Sequence, residues 1–215
     1  MRAPSIPLTP EGWPLIGLTV VVTVVFALLG WGLLAVLGLV GLVLTVNFFR
    51  DPERFVPCEP GLAVAPADGR VVKVGPAKDP LTGQERQVVC IFMNIFDVHV
   101  NRAPVAGLVT ALRYWPGKFI NASLDKASED NERLAMQLTD EGGATWTVVQ
   151  IAGLLARRIV PWAEMGDSLA RGQRYGMIRF GSRLDVYLPN DYHSNVTIGQ
   201  RVTAGQTVIA VRQPE

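Results

Sequence analysis

From Gly12 to Phe49 the chain carries not one Asp, Glu, Lys or Arg. An uncharged apolar run of this length argues for lipid rather than for a soluble core helix. Its densest part, Leu15 to Val46, is too long for one upright helix, because a bilayer span takes about 20 apolar residues, and too short for two full spans. Gly30-Trp31-Gly32 near the middle can form a turn, giving two short helices in a hairpin that dips into one leaflet. One long tilted helix is the competing arrangement. Arg2 is the only basic residue before the run, whose apolar core exceeds the roughly 7–15 residues of a cleavable signal peptide. Residues 1–49 are therefore expected to stay as a membrane anchor. Arg50 and Arg54 directly after it place the domain over 50–215 on the cytoplasmic side under the positive-inside tendency. The expected location is the cytoplasmic face of the cell membrane, as a peripheral or monotopic protein.

After a short linker with prolines at 52, 57 and 60, the pattern turns strand-like. Residues 61–74 read as a strand, an Asp68-Gly69 turn and a second strand. Further β runs are Val88–Met93, Val98–Ala103, Leu108–Tyr114, Leu134–Thr139, Thr145–Ala152, Met177–Phe180 and Leu184–Leu188. The tail from Val196 to Val211 alternates apolar residues with Gly turns. Helical candidates are few: Trp162–Leu169 and a turn around Ser123–Asn131. The expected fold is mainly β, a sandwich or barrel-like catalytic domain behind a helical anchor. A formal net charge of +1 gives no electrostatic case for nucleic acid. Cys58 and Cys90 make neither a disulfide framework nor a zinc site.

Two histidines occur in the chain, His99 and His193. His99 lies in an extended run where Val98 and Val100 would face a core, while Asp97, His99 and Asn101 share the other face. That geometry offers His99 to a cleft, although a surface histidine on an ordinary strand would look the same. Far downstream, Gly181-Ser182 stands between two strand-like runs that leave no room for a flexible loop. A tight turn there would bring the Gly181 carbonyl beside the Ser182 hydroxyl. A lone hydroxyl is a weak nucleophile; a histidine to take its proton and a carboxylate to hold the histidine make it useful. Asp68 is a candidate for that carboxylate, and equally a simple turn residue.

Several segments together carry a family resemblance: Asn47-Phe48-Phe49-Arg50-Asp51-Pro52-Glu53-Arg54, Pro66-Ala67-Asp68-Gly69, the run from Phe92 to Pro104, Pro116-Gly117-Lys118-Phe119, the run from Leu124 to Arg133, Ala156-Arg157-Arg158, and the run from Gly176 to Arg183. In this order they resemble phosphatidylserine decarboxylase proenzymes of the short bacterial and archaeal subclass, over nearly the whole chain.

The resemblance implies self-cleavage between Gly181 and Ser182. His99 would be the base and Asp68 would orient it, giving a β chain 1–181 and an α chain 182–215 that stay together as a heterodimer or higher oligomer. It also implies that Ser182 becomes a covalent pyruvoyl group, which forms a Schiff base with the substrate amine and serves as electron sink without a metal. The implied reaction converts phosphatidylserine to phosphatidylethanolamine and CO2 in phospholipid biosynthesis, at the membrane that the anchor reaches. Lys118, Lys126, Arg179 and Arg183 are candidate headgroup contacts. Another subclass carries a second histidine three residues before the one matching His99; here that position is Phe96, so its role would fall to His193, to water, or not be needed.

Two other readings stay open. The tail and the Asp-Gly segment also fit a membrane-anchored lipoyl- or biotinyl-type barrel without catalysis, although no lysine follows Lys126 to carry such a group. A decarboxylase of an archaeal-type ether lipid would meet the same phosphoserine headgroup.

Overall fold

A computed structural model of the chain describes residues 7–120, 130–154, 158–179 and 181–213. The chain divides into two compact units, Met1–Glu53 and Arg54–Glu215.

In the first unit a 3₁₀ turn, Pro10–Gly12, leads into helix α1 (Trp13–Leu28), and helix α2 follows over Gly32–Phe48. The apolar run is therefore a hairpin and not one long helix. Its break is local chemistry: Gly30 sits at φ 74°, a left-handed conformation that is cheap only for glycine. Leu29, Gly30 and Trp31 donate their N–H groups to Val25, Ala27 and Phe26. The turn thus satisfies its backbone internally, as a turn placed in hydrocarbon must. Thr19, Thr23 and Thr45 fold their hydroxyls back onto carbonyls of the preceding turn, and a Cβ on Gly38 would collide with the Thr23 side chain. At the open end, Thr9 donates to the Phe49 carbonyl at 2.9 Å and Asp51 to that of Pro7 at 2.8 Å. Both ends of the hairpin are thereby fastened together. Leu18, Val21, Leu28, Leu33, Leu37 and Val43 are all exposed, an apolar surface suited to lipid. The stretch Pro10–Leu28 has the length and apolarity of a membrane helix, whereas α2 falls short of that length.

The second unit is mainly β and contains a curled half-barrel. Its strands are β1 (Leu62–Val64), β2 (Gly69–Lys78), β3 (Glu85–Met93), β4 (Val100–Arg102), β5 (Gly107–Trp115), β6 (Arg133–Thr139), β7 (Thr145–Ala152), β8 (Arg158–Pro161), β9 (Ser168–Leu169), β10 (Arg174–Arg179), β11 (Ser182–Tyr187), β12 (Tyr192–Ser194), β13 (Arg201–Val202) and β14 (Val208–Arg212). Eight form one sheet in the order β13-β2-β3-β11-β7-β6-β5-β9, with β1-β14-β12 and β4-β10-β8 as smaller sheets. Because side chains alternate along each strand, the large sheet buries a different set on each face. One face packs Val89, Ile91, Met93, Val148, Leu184 and Val186 into the main core. The other holds Val88, Cys90, Val149, Ile151 and Tyr187.

Two expectations need correction. The Asp68-Gly69 segment is not a hairpin: β1 pairs with β14 and β2 with β3. Residues 65 and 66 bond to other partners, Ala65 N–H to Thr207 and the Pro66 carbonyl to Arg102 N–H, so the two strands part into different sheets. Trp162–Leu169 is not helical either. Trp162 and Ala163 donate to the Tyr175 carbonyl, the Asp167 carboxylate takes the Glu164 N–H, and Gly166 turns at φ 94°. The side-chain bond to Glu164 gives the backbone an alternative to the helix. The expected turn around Ser123–Asn131 falls almost wholly outside the described residues.

Candidate active site

Ser182 opens β11, the strand held between β3 and β7. It stands opposite Met93 on one side and Ala152 on the other. Gly181 before it sits at φ 60°, with nothing near its missing Cβ. The glycine is therefore there for conformation rather than for space, since an L side chain in the left-handed region costs roughly 1–2 kcal/mol. Ser182 is completely buried. The one partner of its Oγ among the described residues is the Met93 sulfur, at 3.8 Å. Thioether sulfur is a weak acceptor, so this hydroxyl is dry and loosely held.

His99 precedes β4, which pairs with β10, the strand that runs into the Gly181 turn. The Ile178 N–H faces the His99 carbonyl at 3.4 Å. Contrary to a surface placement, His99 has no exposed area, and Val98, Val100 and Asn101 beside it are buried too. The segment is interior on both faces, so alternation could not sort them. His99 Nδ1 lies 2.9 Å from the Asp97 carbonyl. A carbonyl only accepts, so Nδ1 carries the hydrogen, and in the neutral ring the lone pair falls on Nε2.

The Asp68 carboxylate takes Arg54 on Oδ2 at 2.8 Å and the Ala204 N–H on Oδ1 at 2.8 Å. Gly69 next to it touches the Phe92 carbonyl so closely that a Cβ would collide. Asp68 thus sits at the end of β3 that also carries Met93. Arg54 is a partner missed from the sequence, although it lies in one of the segments that carry the resemblance.

Three more buried polar residues were given no role from the sequence. Gln150 donates to Asn101 at 2.7 Å, and Asn101 Nδ2 meets the same Met93 sulfur at 3.8 Å. Asn131, fully buried, donates to the carbonyls of Ile120 and Ala152 at 2.8 and 2.7 Å and accepts from the Ile120 N–H. It fastens the 118–120 segment to the residue that faces Ser182. Polar residues inside apolar strands were the available signal.

The candidate headgroup contacts scatter. Lys118 is exposed beside Asp130 at 3.9 Å, Arg179 is half-buried on β10, and Lys126 lies outside the described residues. Arg183 is on the opposite face of β11 from Ser182, as alternation requires. There its Nε and a terminal nitrogen grip the two Asp185 oxygens at 2.6 and 3.0 Å, and the Cys90 sulfur lies 3.0 Å away. Arg183 and Asp185 are 2% and 1% exposed. Burial alone would make the guanidinium easier to deprotonate, but Asp185 and Cys90 outweigh it and hold the group above its ordinary range. Burial, then the Asp185 charge, pushes the Cys90 thiol up. Both ionic residues line a cavity of about 450 Å³ that Lys73, Lys78, Asp79 and Tyr187 also border. Among the described residues no group of three His, Cys, Asp or Glu side chains gathers as a metal site.

A family model for phosphatidylserine decarboxylase matches residues 42–210. A phosphatidylserine decarboxylase proenzyme of Solidesulfovibrio magneticus is 60% identical over 98% of both chains. One from Nitratidesulfovibrio vulgaris is 56% identical over 100% of this chain and 99% of its own. One from Burkholderia ambifaria is 46% identical over 98% of both. A buried serine behind a left-handed glycine and a match that runs the length of the chain lead to one conclusion: this chain belongs to the phosphatidylserine decarboxylase family.

Proposed function

We propose that this chain is a self-processing decarboxylase that converts phosphatidylserine to phosphatidylethanolamine and CO2 at the cytoplasmic face of the membrane. The observation that carries the reading is the pair Gly181-Ser182, a left-handed turn feeding a buried hydroxyl at the start of a central strand, in a chain whose relatives are named as proenzymes.

The residues present suit a group made from Ser182. Its hydroxyl is shielded from water, and the strand that leads into the turn is paired to the His99 segment. His99, with its hydrogen fixed on Nδ1 by the Asp97 carbonyl, offers Nε2 as the base that takes the serine proton. Asp68, steadied by Arg54 and the Ala204 amide, would support His99 through its charge as the ring is protonated, because the Nδ1 hydrogen is already given to the Asp97 carbonyl. A pyruvoyl group at position 182 would supply the electron sink that amino-acid decarboxylation needs. Ser182 and its neighbours position that group and exclude water. Lys118 and Arg179 are the remaining described candidates for the headgroup phosphate or carboxylate. The apolar hairpin keeps the enzyme where its substrate lies, since a diacyl lipid leaves the bilayer at about 0.8 kcal/mol per exposed CH₂.

Intact mass of the purified wild-type protein, together with CO2 release from defined lipids, tests this reading. The expected result is two chains, 1–181 and 182–215, the smaller without a free amine at its start and shifted by borohydride. Ser182→Ala should stay whole and inactive, and His99→Ala whole or nearly so. A wild-type protein that turns over phosphatidylserine as a single uncut chain would refute the mechanism. Comparison of ester- and ether-linked phosphoserine lipids in the same assay fixes the substrate class.

A further inference from the structure

Buried polar atoms in folded proteins nearly always meet acceptors or donors of full strength. Asn101 departs from this pattern. It has no exposed area, its Oδ1 accepts from Gln150 at 2.7 Å, and its Nδ2 rests against the Met93 sulfur at 3.8 Å. With Gln150 Nε2 as the donor, Asn101 accepts through its oxygen and leaves Nδ2 toward the sulfur. Gln150 is itself immobilised. It lies on β7 two positions before Ala152, with its amide beside Gly176 and its Nε2–H given to Asn101. A preorganised N–H donor is therefore aimed at a poor acceptor in a dry site. The same sulfur is the partner of the Ser182 hydroxyl, also at 3.8 Å.

We infer that Asn101 is a catalytic hydrogen-bond donor of self-processing, its Nδ2–H turning from the Met93 sulfur to Oγ of residue 182 as that oxygen takes up negative charge. The inference rests on the cleavage proposed above. In that cleavage the Oγ–C bond to Gly181 forms and the Gly181 C–N bond breaks, with the hydroxyl proton ending on the Ser182 nitrogen. The product is an ester. A base then removes the Ser182 Cα proton and the Cβ–Oγ bond breaks. The electron pair leaves on Oγ, now part of the Gly181 carboxylate, and residue 182 becomes dehydroalanine. Water then hydrolyses its imine form and ammonia departs. Oγ takes up negative charge as the Cβ–Oγ bond breaks, and a donor already inside a water-free site stabilises it there.

The test follows the full-length chain by intact mass after expression of wild type, Asn101→Leu and Gln150→Glu. The Glu substitution leaves Asn101 in place but offers it a carboxylate, which draws the amide N–H away from residue 182. Both variants should form the 182–215 chain roughly 10²–10³-fold more slowly, the usual loss for one such donor. Their uncut chains should be ester-linked, so neutral hydroxylamine should release a fragment that begins with Ser182 bearing a free amine. A change in packing alone would slow the cut without building up ester. Processing of either folded variant within about threefold of wild type, or uncut folded chains that resist hydroxylamine, would overturn the assignment. Wild type that never cuts at 181/182 would instead sink the proposed function, so the two failures are distinct.

Discussion

Replacing Asp185 by Asn removes one charge from an almost fully buried ion pair. Arg183 and Asp185 are 2% and 1% exposed, joined by contacts of 2.6 and 3.0 Å in a bidentate grip. Asparagine keeps the shape and loses the carboxylate, so the guanidinium charge stays almost fully buried without the bidentate anion that balanced it. Breaking a buried pair in this manner costs about 3–5 kcal/mol, whereas replacing both partners by apolar residues of similar volume is close to neutral. Asp185→Asn is therefore expected to lower the unfolding free energy by about 3–5 kcal/mol, and Arg183→Met with Asp185→Leu to recover most of that loss. The measurement is urea unfolding in detergent micelles, followed by the fluorescence of Trp146, which is fully buried. All variants should carry Ser182→Ala, so that each remains one chain and the transition does not depend on concentration. An Asp185→Asn protein within about 1 kcal/mol of its parent would refute the reasoning, as would a double variant no better than the single one.

Two further outcomes are expected. Val24 and Val40, 50% and 51% exposed on the hairpin, should tolerate no charge in lipid: aspartate at either should cost about 2.5–3.5 kcal/mol of insertion and shift the protein from the membrane pellet to the supernatant, and unchanged pelleting of the double variant would count against the hairpin as anchor. Of the two thiols, Cys58 is exposed and Cys90 buried, with the Cys90 thiol pushed above its usual range first by burial and then by the Asp185 charge; a disulfide reagent near pH 8 should titrate Cys58 in the folded protein and Cys90 only after denaturation.

Strand positions were readable wherever an apolar run met turn chemistry at both ends. The run Thr145–Ala152 became β7 at its full extent, and the strand read at Leu184–Leu188 starts two residues earlier as β11, at Ser182. Pairing was less legible. Asp68-Gly69 carries the local signal of a hairpin, yet its glycine is needed for close approach to the Phe92 carbonyl and its carboxylate for Arg54 and Ala204. The Ala204 contact reaches across 136 residues of chain, which local propensity does not encode. The site shows the same division. Ser182 and His99 stood out by chemical type, whereas Asn101 and Gln150 look like ordinary strand residues until the fold brings Asn101 to the Met93 sulfur and Gln150 to Asn101. Arg183 was legible as a charge but not as a buried one, because only the pairing of β11 between β3 and β7 encloses it beside Asp185 and Cys90.

The placement of β11 governs what a cut before Ser182 can do. Residues 182–187 are paired along their whole length to β3 on one side and to β7 on the other, and β14 further along is stitched to β1. A nick at this point would relax one turn and leave every ladder intact. The liberated tail would become a second subunit without an assembly step or a search for a partner, and it would be inseparable from the first until the whole sheet melts. Maturation in such a fold renames part of the molecule while leaving its architecture as it was.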